Sequence, residues 1–266
     1  MESMPELPDL IELKRYLDAT SLHQRIDAVD IRDASLLDGV TPPRLAKALE
    51  GRTLKRSHRH GKNLMVTTSG DEVLRLHFGM TGFLSYYRDP EQEPGHARLV
   101  LGFETGYHLA YDCQRKLGAV GLYESSETFI EQAGLRPDAL DPGFDLPAFR
   151  EALHGRSAMI KSAIMNQGIV AGIGNIWSDE VLFQAGVHPG RRCHDLGEEE
   201  LAAVFRALKE VMGAADENPK VAHENPRRYL LPHRDEEEPR CPRCGGRVER
   251  ARVSGRTAYY CKECQS

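Results

Sequence analysis

Four of the six cysteines fall into two Cys-x-x-Cys pairs near the end of the sequence. Cys241 and Cys244 form the first pair, Cys261 and Cys264 the second, and sixteen residues separate them. This spacing is typical of a tetrahedral zinc site. Four thiolates leave no open ligand position, so we predict one structural Zn²⁺. Reduced thiols or disulfides are the alternative. The two remaining cysteines are interpreted as small apolar residues: Cys113 and Cys193.

A glycine-rich segment between two helical patterns is the second candidate site. Three glycines fall within the seven residues that precede Asn175, and Asn175 is predicted to be the N-cap of the following helix. Glycines allow close backbone approach, and a helix N-terminus favours an anion. No strand precedes the run, as a dinucleotide-binding fingerprint would require, and a tight turn without ligand is at least as plausible.

The distribution of charge suggests an anionic partner for one end of the chain. The net charge is −5, with 40 acidic and 35 basic residues. Between Pro239 and Ser266, however, seven basic residues face two acidic ones, a local charge of +5. Arg252 and Arg256 lie near a predicted turn there, which suits phosphate contact, although a merely soluble surface explains any single arginine.

Composition places the chain among globular proteins. Hydrophobic residues make up 40% of it, and no apolar run approaches the ~18 residues needed to span a bilayer. The first residues lack the pattern of a secretory signal, so we expect a cytoplasmic protein without membrane association.

The periodicity predicts an N-terminal helix, then strands, then helices. Residues 5–18 have helical spacing, and short apolar runs broken by turns between Asn63 and Tyr123 predict an antiparallel sandwich or barrel. Helices are predicted at 147–155, 157–167, 175–185 and 197–214. The predicted regions are 1–133 for the first domain, 134–146 for a linker, 147–213 for the helical domain, 214–238 for a loop, and 239–266 for a separate small unit.

Five separated motifs resemble the formamidopyrimidine-DNA glycosylase family, in the family's order from Pro5 to Gln265. They are Met4-Pro-Glu-Leu-Pro-Asp9, Gly61-Lys62, His77-Phe-Gly-Met-Thr-Gly82, Gly172-Ile-Gly-Asn-Ile176 and the four-cysteine unit. The resemblance implies an α+β multidomain fold: an N-terminal helix plus antiparallel β-sandwich, a helix-two-turn-helix domain and a C-terminal zinc ribbon. It also implies excision of oxidised bases from damaged double-stranded DNA and strand cleavage at the abasic site, by a monomer without a diffusible cofactor.

The resemblance further implies roles for individual residues. Pro5 matches the nucleophile, Glu6 the proton-shuttling acid, Lys62 a phosphate-contacting lysine that assists β-elimination, and Arg256 the arginine linked to δ-elimination. Met80 would fill the space left by the everted base. The DNA backbone or the orphaned strand would be held by His96, Arg115, Arg156, Lys161 and Asn175. Blander alternatives are Met80 as a core residue, His96 as a surface histidine and Asp9 as a helix-start charge.

Three departures from the family pattern bear on function. Met-Glu-Ser precedes Met4-Pro5, and a retained extension would block the proline amine, leaving a non-catalytic lesion-binding protein. Leu117 replaces an aromatic wedge after Arg115. Residues 214–238 lack the glycine-rich loop that covers 8-oxoguanine, so the sequence does not specify the preferred lesion. Besides the glycosylase and the non-catalytic lesion-binding protein, a third possible function is that of a zinc-ribbon protein that binds RNA or another protein. This third function would require the five-motif match to be accidental.

Overall fold

The computed structural model describes residues 5–217 and 226–266, and the chain forms two compact units. The first comprises Met1–Pro5 and Asp9–Ala133, the second Glu6–Pro8 and Gly134–Ser266. The predicted boundary at residue 134 therefore coincides with the division. The grouping of residues 6–8 with the second unit has no counterpart in the sequence pattern.

The first unit contains helices and two sheets. Its helices are α1 (Leu7–Thr20), whose first residues are grouped with the second unit, α2 (Pro42–Leu49) and α3 (Ser126–Gln132). Its strands are β1 (Ile26–Ile31), β2 (Leu37–Asp38), β3 (Leu54–His60), β4 (Asn63–Thr68), β5 (Val73–His77), β6 (Gly82–Tyr87), β7 (Ala97–Phe103), β8 (His108–Cys113) and β9 (Ala119–Tyr123).

The two sheets form the predicted sandwich. One sheet has the antiparallel order β1-β7-β8-β6, and the other has the order β2-β9-β5-β4-β3, in which only the short β2–β9 pair is parallel. Buried leucines from both sheets share one core with Leu17 of α1, among them Leu64, Leu74, Leu101 and Leu109. Strands β4, β7 and β8 are buried along most of their length, as expected for central strands of packed sheets.

The second unit contains four helices and a hairpin among its described residues. These are α4 (Leu146–Leu153), α5 (Ile160–Ile164), α6 (Asn175–Ala185), α7 (Glu198–Glu217), β10 (Glu249–Val253) and β11 (Arg256–Tyr260). Helix α6 ends where predicted, because Gly186 adopts the left-handed conformation at φ +74°. No helix in the described ranges is long and apolar enough to cross a membrane.

Several predicted boundaries in this unit are wrong. Helix α5 covers five residues instead of 157–167, because the backbone before it pairs with residues 191–192 instead of coiling. Helix α7 continues to Glu217, beyond the predicted loop start at 214. Residues 134–146 are no free linker, since the Ala139 N–H donates to the Ala171 carbonyl at 3.0 Å and Phe144 is buried.

The segment before the ribbon is packed in the part that the structure describes. The 214–238 prediction includes residues 218–225, which lie outside the described ranges. Beyond them Tyr229, Leu230 and Leu231 are buried, and Leu230 shares a cluster with Phe183 of α6 and with Cys241. The ribbon is therefore not a separate body. It is part of the second unit.

Candidate active site and metal centre

The carboxylate of Glu6 caps the N-terminus of α6. Its two oxygens accept hydrogen bonds from the Ile176 and Trp177 N–H groups at 2.9 and 3.1 Å, and the residue is only 2% exposed. A helix N-terminus carries unsatisfied N–H groups and a positive dipole end, so a carboxylate is stabilised there. The predicted anion site at this helix thus holds an anion supplied by the chain itself.

The predicted capping role of Asn175 is wrong. Gly174 occupies the N-cap position without a side-chain cap, and Asn175 is the first helical residue. Glu6, 170 residues away along the chain, supplies the missing acceptor. The side-chain oxygen of Asn175 is buried without a hydrogen-bond partner among the described residues, while the residue as a whole stays half-buried.

The glycines of this segment make room for the start of the chain. A Cβ on Gly174 would lie 2.2 Å from Cδ of Glu6, and one on Gly172, at φ +113°, would lie 2.5 Å from Cδ1 of Leu7. The Leu7 N–H also donates to the Gly172 carbonyl at 3.1 Å. The glycine run is therefore a seat for residues 6 and 7.

Gln167 closes the glycine loop, and the sequence analysis missed it. Its side-chain oxygen accepts from the Gly172 N–H, and its nitrogen donates to the carbonyls of Met165 and Ile173, all at 2.9 Å. The sequence did offer one signal, an amide side chain directly before a glycine-rich run. Such a side chain can donate to loop carbonyls and accept from loop N–H groups that have no backbone partner.

Lys161, which the resemblance assigns to the DNA backbone or the orphaned strand, is buried inside the second unit. The residue is 1% exposed, and its ammonium donates to Asp179 at 2.6 Å, to the Asn175 carbonyl at 2.7 Å and to Ser178 at 2.9 Å. Burial lowers the pKa of Lys161 and raises that of Asp179, and the ion pair opposes both shifts. Lys161 therefore holds the first turn of α6 in place and does not face solvent.

Pro5 and Lys62 belong to the first unit. Pro5 is half-buried and directly precedes α1. Lys62 is 9% exposed and lies in the two-residue turn between β3 and β4, where Gly61 has φ +56°. Burial, with the nearby Arg75 and Lys62 cations, lowers the pKa of His77 to about 4. His77 is thus neutral at pH 7, and its Nδ1 accepts from the Gly79 N–H at 3.3 Å.

Two adjoining loops present the predicted wedge residues. Met80 lies between β5 and β6, is half-buried and is absent from the buried core, which disfavours the core alternative. Arg115 and Leu117 lie between β8 and β9, and Leu117 is 52% exposed. The hydroxyl of Thr81 accepts from the Arg115 N–H at 3.1 Å, a link between the loops that the sequence analysis missed.

The remaining predicted DNA contacts lie on the surface of their units. His96 is exposed before β7, and its N–H donates to Asp112 at 2.8 Å. Arg156 is exposed between α4 and α5. Arg256 is exposed at the start of β11, next to the turn formed by Ser254 and Gly255.

The four predicted zinc ligands converge. The sulfur atoms of Cys241, Cys244, Cys261 and Cys264 lie within 4.8 Å of one another, with Cys241–Cys264 at 3.7 Å and Cys244–Cys261 at 3.6 Å. Disulfide bonds would need about 2.05 Å. Ligands of a tetrahedral Zn²⁺ with Zn–S bonds of about 2.3 Å lie about 3.8 Å apart, so the donor set fits this ion.

Comparison with known proteins identifies the family. Three family models match in chain order: the formamidopyrimidine-DNA glycosylase N-terminal domain at residues 4–120, its H2TH domain at 135–224, and a zinc finger found in this family and in isoleucyl-tRNA synthetase at 239–266. A formamidopyrimidine-DNA glycosylase of Cereibacter sphaeroides is 31% identical over 98% of this chain and 100% of its own. The chain belongs to the formamidopyrimidine-DNA glycosylase family.

Other relatives agree with this membership. The formamidopyrimidine-DNA glycosylase of Moorella thermoacetica is 33% identical over 94% of this chain and 95% of its own. The Lactococcus lactis enzyme, solved in complex with DNA containing an abasic site, has a TM-score of 0.89 at 26% identity and covers 98% of this chain and 100% of its own. Formamidopyrimidine-DNA glycosylases combine base excision with abasic-site lyase activity, and this chain is a DNA-repair enzyme of that class.

Proposed function

We propose that this chain excises oxidised bases from duplex DNA and cleaves the strand with the amine of Pro5 as nucleophile. A terminal amine has a pKa of ~7.7–8.0 against ~10.4 for lysine, and a proline ring makes it somewhat more basic than that. A terminal proline therefore retains more of the reactive free amine at neutral pH than a lysine does. Damaged double-stranded DNA is the substrate. We propose that the protein acts as a monomer in the compartment that contains the chromosomal DNA.

The reaction proceeds through a secondary amine. The Pro5 nitrogen attacks C1′ of the damaged nucleotide, the N-glycosidic bond breaks, and the base leaves with a proton. Opening of the sugar gives a cationic iminium, because a secondary amine cannot form a neutral imine. This charge acidifies the hydrogen on C2′, whose loss expels the 3′ phosphate. A second elimination expels the 5′ phosphate, and hydrolysis releases Pro5.

The fixed carboxylate of Glu6 carries this proposal. It is adjacent to Pro5 in the sequence, almost fully buried, and oriented by two backbone N–H groups at 2.9 and 3.1 Å. A general acid–base group needs such a defined position next to the reacting atoms. Glu6 would deliver a proton to the departing base or the sugar oxygen and accept one back.

Lys62 and Arg256 serve the elimination steps in this proposal. The Lys62 ammonium would contact phosphate and assist β-elimination, and the exposed Arg256 guanidinium would stabilise the phosphate expelled in δ-elimination. Met80 fills the space of the everted base, and Arg115, His96, Arg156 and Asn175 hold the backbone or the orphaned strand. The zinc ion, held by the four cysteines, would supply the cross-link that keeps Arg256 in position.

A second candidate function depends on residues that lie outside the described ranges. If Met1–Ser3 is retained, the Pro5 nitrogen is an amide and cannot attack, and the protein binds lesions without catalysis. The mass of the intact protein from its native host distinguishes the two forms.

Borohydride trapping on abasic-site DNA tests the nucleophile. Protein that starts at Pro5 should form a reducible covalent adduct, Pro5→Gly should slow it, and protein that retains Met-Glu-Ser-Met should form little. The extended form should still retain lesion DNA in a binding assay. Full trapping by a chain whose mass confirms Met1 would refute the proline assignment, and Lys62 would then be tested first.

Product analysis tests the other two roles. Glu6→Gln should impair base removal more than cleavage of a preformed abasic site. Arg256→Gln should shift products from δ- towards β-elimination, whereas Arg250→Gln, an exposed arginine of the same hairpin, should not. Equal product ratios for the two arginine variants would remove Arg256 from the elimination step.

A further inference from the structure

Asp33 forms an ion pair with the tip of the loop between β8 and β9. Its Oδ2 lies 2.7 Å from the Lys116 ammonium, and its side chain is only 15% exposed, whereas that of Lys116 is 51% exposed. The other oxygen accepts from the Ser35 N–H at 3.1 Å and from the Ser35 hydroxyl at 2.6 Å. The carboxylate is therefore fixed from one side and can restrain Lys116 from the other.

Lys116 lies between the two residues that the tip presents. Arg115 precedes it, and Leu117 follows it with 52% exposure. Lys116 has φ +53°, a left-handed conformation that a non-glycine residue adopts at a cost. A restraint on its side chain therefore also restrains the backbone that sets the directions of its neighbours.

The rest of the tip is already held by close backbone contacts. The Lys116 N–H donates to the Cys113 carbonyl at 3.3 Å. A Cβ on Gly79 would lie 2.4 Å from the carbonyl atoms of Leu117, so the loop with Met80 packs directly against the tip. On the exposed side of the tip, the Asp33 carboxylate holds the Lys116 ammonium.

We infer that Asp33 is a positioning residue, which acts through Lys116 to hold Arg115 and Leu117 in the geometry that discriminates the base opposite the lesion. The inference rests on the proposed function, in which Arg115 holds the DNA backbone or the orphaned strand, and Leu117 occupies the position of the family's aromatic wedge. In this arrangement Lys116 is engaged by Asp33 and is not a phosphate contact. Lys116 and Ser35 also hold the pKa of Asp33 well below its usual range, so the pair stays charged at neutral pH.

The test measures binding, so that it does not depend on Pro5 chemistry. The probe is duplex DNA with a tetrahydrofuran abasic analogue opposite each of the four bases, and the readout is the ratio of Kd values for the worst and best opposite base. Asp33→Asn keeps an acceptor for Ser35 but removes the charge. It should reduce the ratio by about twofold to fivefold, the range expected for one partly exposed ion pair. Asp71→Asn, the matched control, removes the charge of an exposed aspartate between β4 and β5 and should leave the ratio unchanged.

Two further variants separate the tether from the fold. Lys116→Gly keeps the left-handed backbone accessible and removes the ammonium, so it should match Asp33→Asn, and the double variant should lose no more than either. In an Arg115→Ala/Leu117→Ala background, which removes both side chains that the tip presents, Asp33→Asn should have no additional effect. In the Asp33→Asn and Lys116→Gly variants, the fluorescence quenching of 2-aminopurine placed opposite the analogue should fall in parallel with the Kd ratio.

The inference fails in three ways that the assay distinguishes. An unchanged ratio, or additive losses in the double variant, shows that the pair does not act through the tip. Tighter binding of undamaged DNA by Asp33→Asn shows that Lys116 is instead released to contact phosphate. Failure of the unaltered chain that starts at Pro5 to form the trapped adduct would refute the proposed function. The Kd ratios would still test the positioning role of Asp33, because they do not depend on Pro5.

Discussion

At the scale of single residues, two lysines that the resemblance assigns to DNA have different surroundings in this chain. By resemblance, Lys62 in the turn between β3 and β4 matches a phosphate-contacting lysine, and Lys161 in α5 matches a residue that holds the DNA backbone or the orphaned strand. Lys161 is nevertheless enclosed with Asp179 inside the second unit. The sequence does not reveal this, because the carboxylate partner lies 18 positions away on another helix and neither residue interrupts a helical pattern.

Removing Lys161 should therefore affect stability and not phosphate contact. Lys161→Met leaves the Asp179 carboxylate buried and unpaired, which costs about 3–5 kcal/mol of unfolding free energy, measurable in urea. Lys161→Met/Asp179→Asn should recover most of this loss. The log–log salt slope of DNA binding should stay constant, whereas Arg156→Gln should lower it by about one unit. A slope lowered by Lys161→Met in stably folded protein would restore its role on DNA.

At the scale of elements, predictions succeeded where local signals suffice. Helix α6 spans the predicted residues, and the series of strands from β4 to β9 begins at Asn63 and ends at Tyr123, the limits of the predicted strand region. Strands β1, β2 and β3, which precede Asn63, were not predicted. Along β3 only Leu54 is fully buried, and the following residues are polar, because it is an edge strand with little apolar contact. The cap from Glu6 was equally invisible, since no local pattern encodes an acceptor 170 residues away.

Helix α6 also buries Glu180, which anchors the packed segment before the ribbon. The carboxylate accepts from the Leu231 N–H at 3.1 Å and from Gln184 at 2.6 Å, and burial raises its pKa to about 7. Between about pH 4.5 and pH 7, Glu180 is therefore protonated in the folded protein and ionised in the unfolded chain, where its pKa is near 4.5. Stability from this group is full below about pH 4.5 and is lost as pH rises to about 7.

Glu180→Gln should remove this pH dependence. Because glutamine resembles the protonated acid, the two proteins should be similar at pH 4.5, and the variant should gain up to about 3 kcal/mol relative to the wild type by pH 8. Chemical unfolding at several pH values measures the difference. Glu199→Gln, an exposed position on α7, should follow the wild-type curve. A constant offset between Glu180→Gln and wild type would show that Glu180 is charged throughout.

At the scale of the whole molecule, a net charge of −5 is compatible with DNA binding because the positive charge is concentrated in the ribbon. The ribbon is joined to the helices of the second unit by specific contacts. The Gln265 side chain bridges the Cys261 N–H and the Val187 carbonyl, each at 2.9 Å, and Leu230 packs against Phe183 and Cys241. Metal binding therefore stabilises both the hairpin and its attachment.

Loss of zinc should weaken DNA binding and leave the helical content of the protein largely unchanged. Cys244→Ser should reduce the zinc content below one per chain and weaken DNA binding, while far-UV circular dichroism retains the helical signal, because a 28-residue unit has too little core to fold alone. Cys193→Ala, a buried cysteine outside the cluster, should keep its zinc. Metal-free wild-type protein with full DNA affinity would contradict the structural role.

The seat that Gly174 provides for Glu6 has a genetic consequence. Gly174→Ala would place a methyl group 2.2 Å from the Glu6 carboxyl carbon, so the two side chains cannot occupy their sites together. A selection for folded, soluble protein in this background should return second-site suppressors that shorten residue 6. A selection for repair of oxidised DNA should return revertants of residue 174, because a shorter residue 6 either lacks the carboxylate or withdraws it from the Ile176 and Trp177 N–H groups. The two selections, run on one library, would separate the requirements of folding from those of catalysis at a single pair of positions.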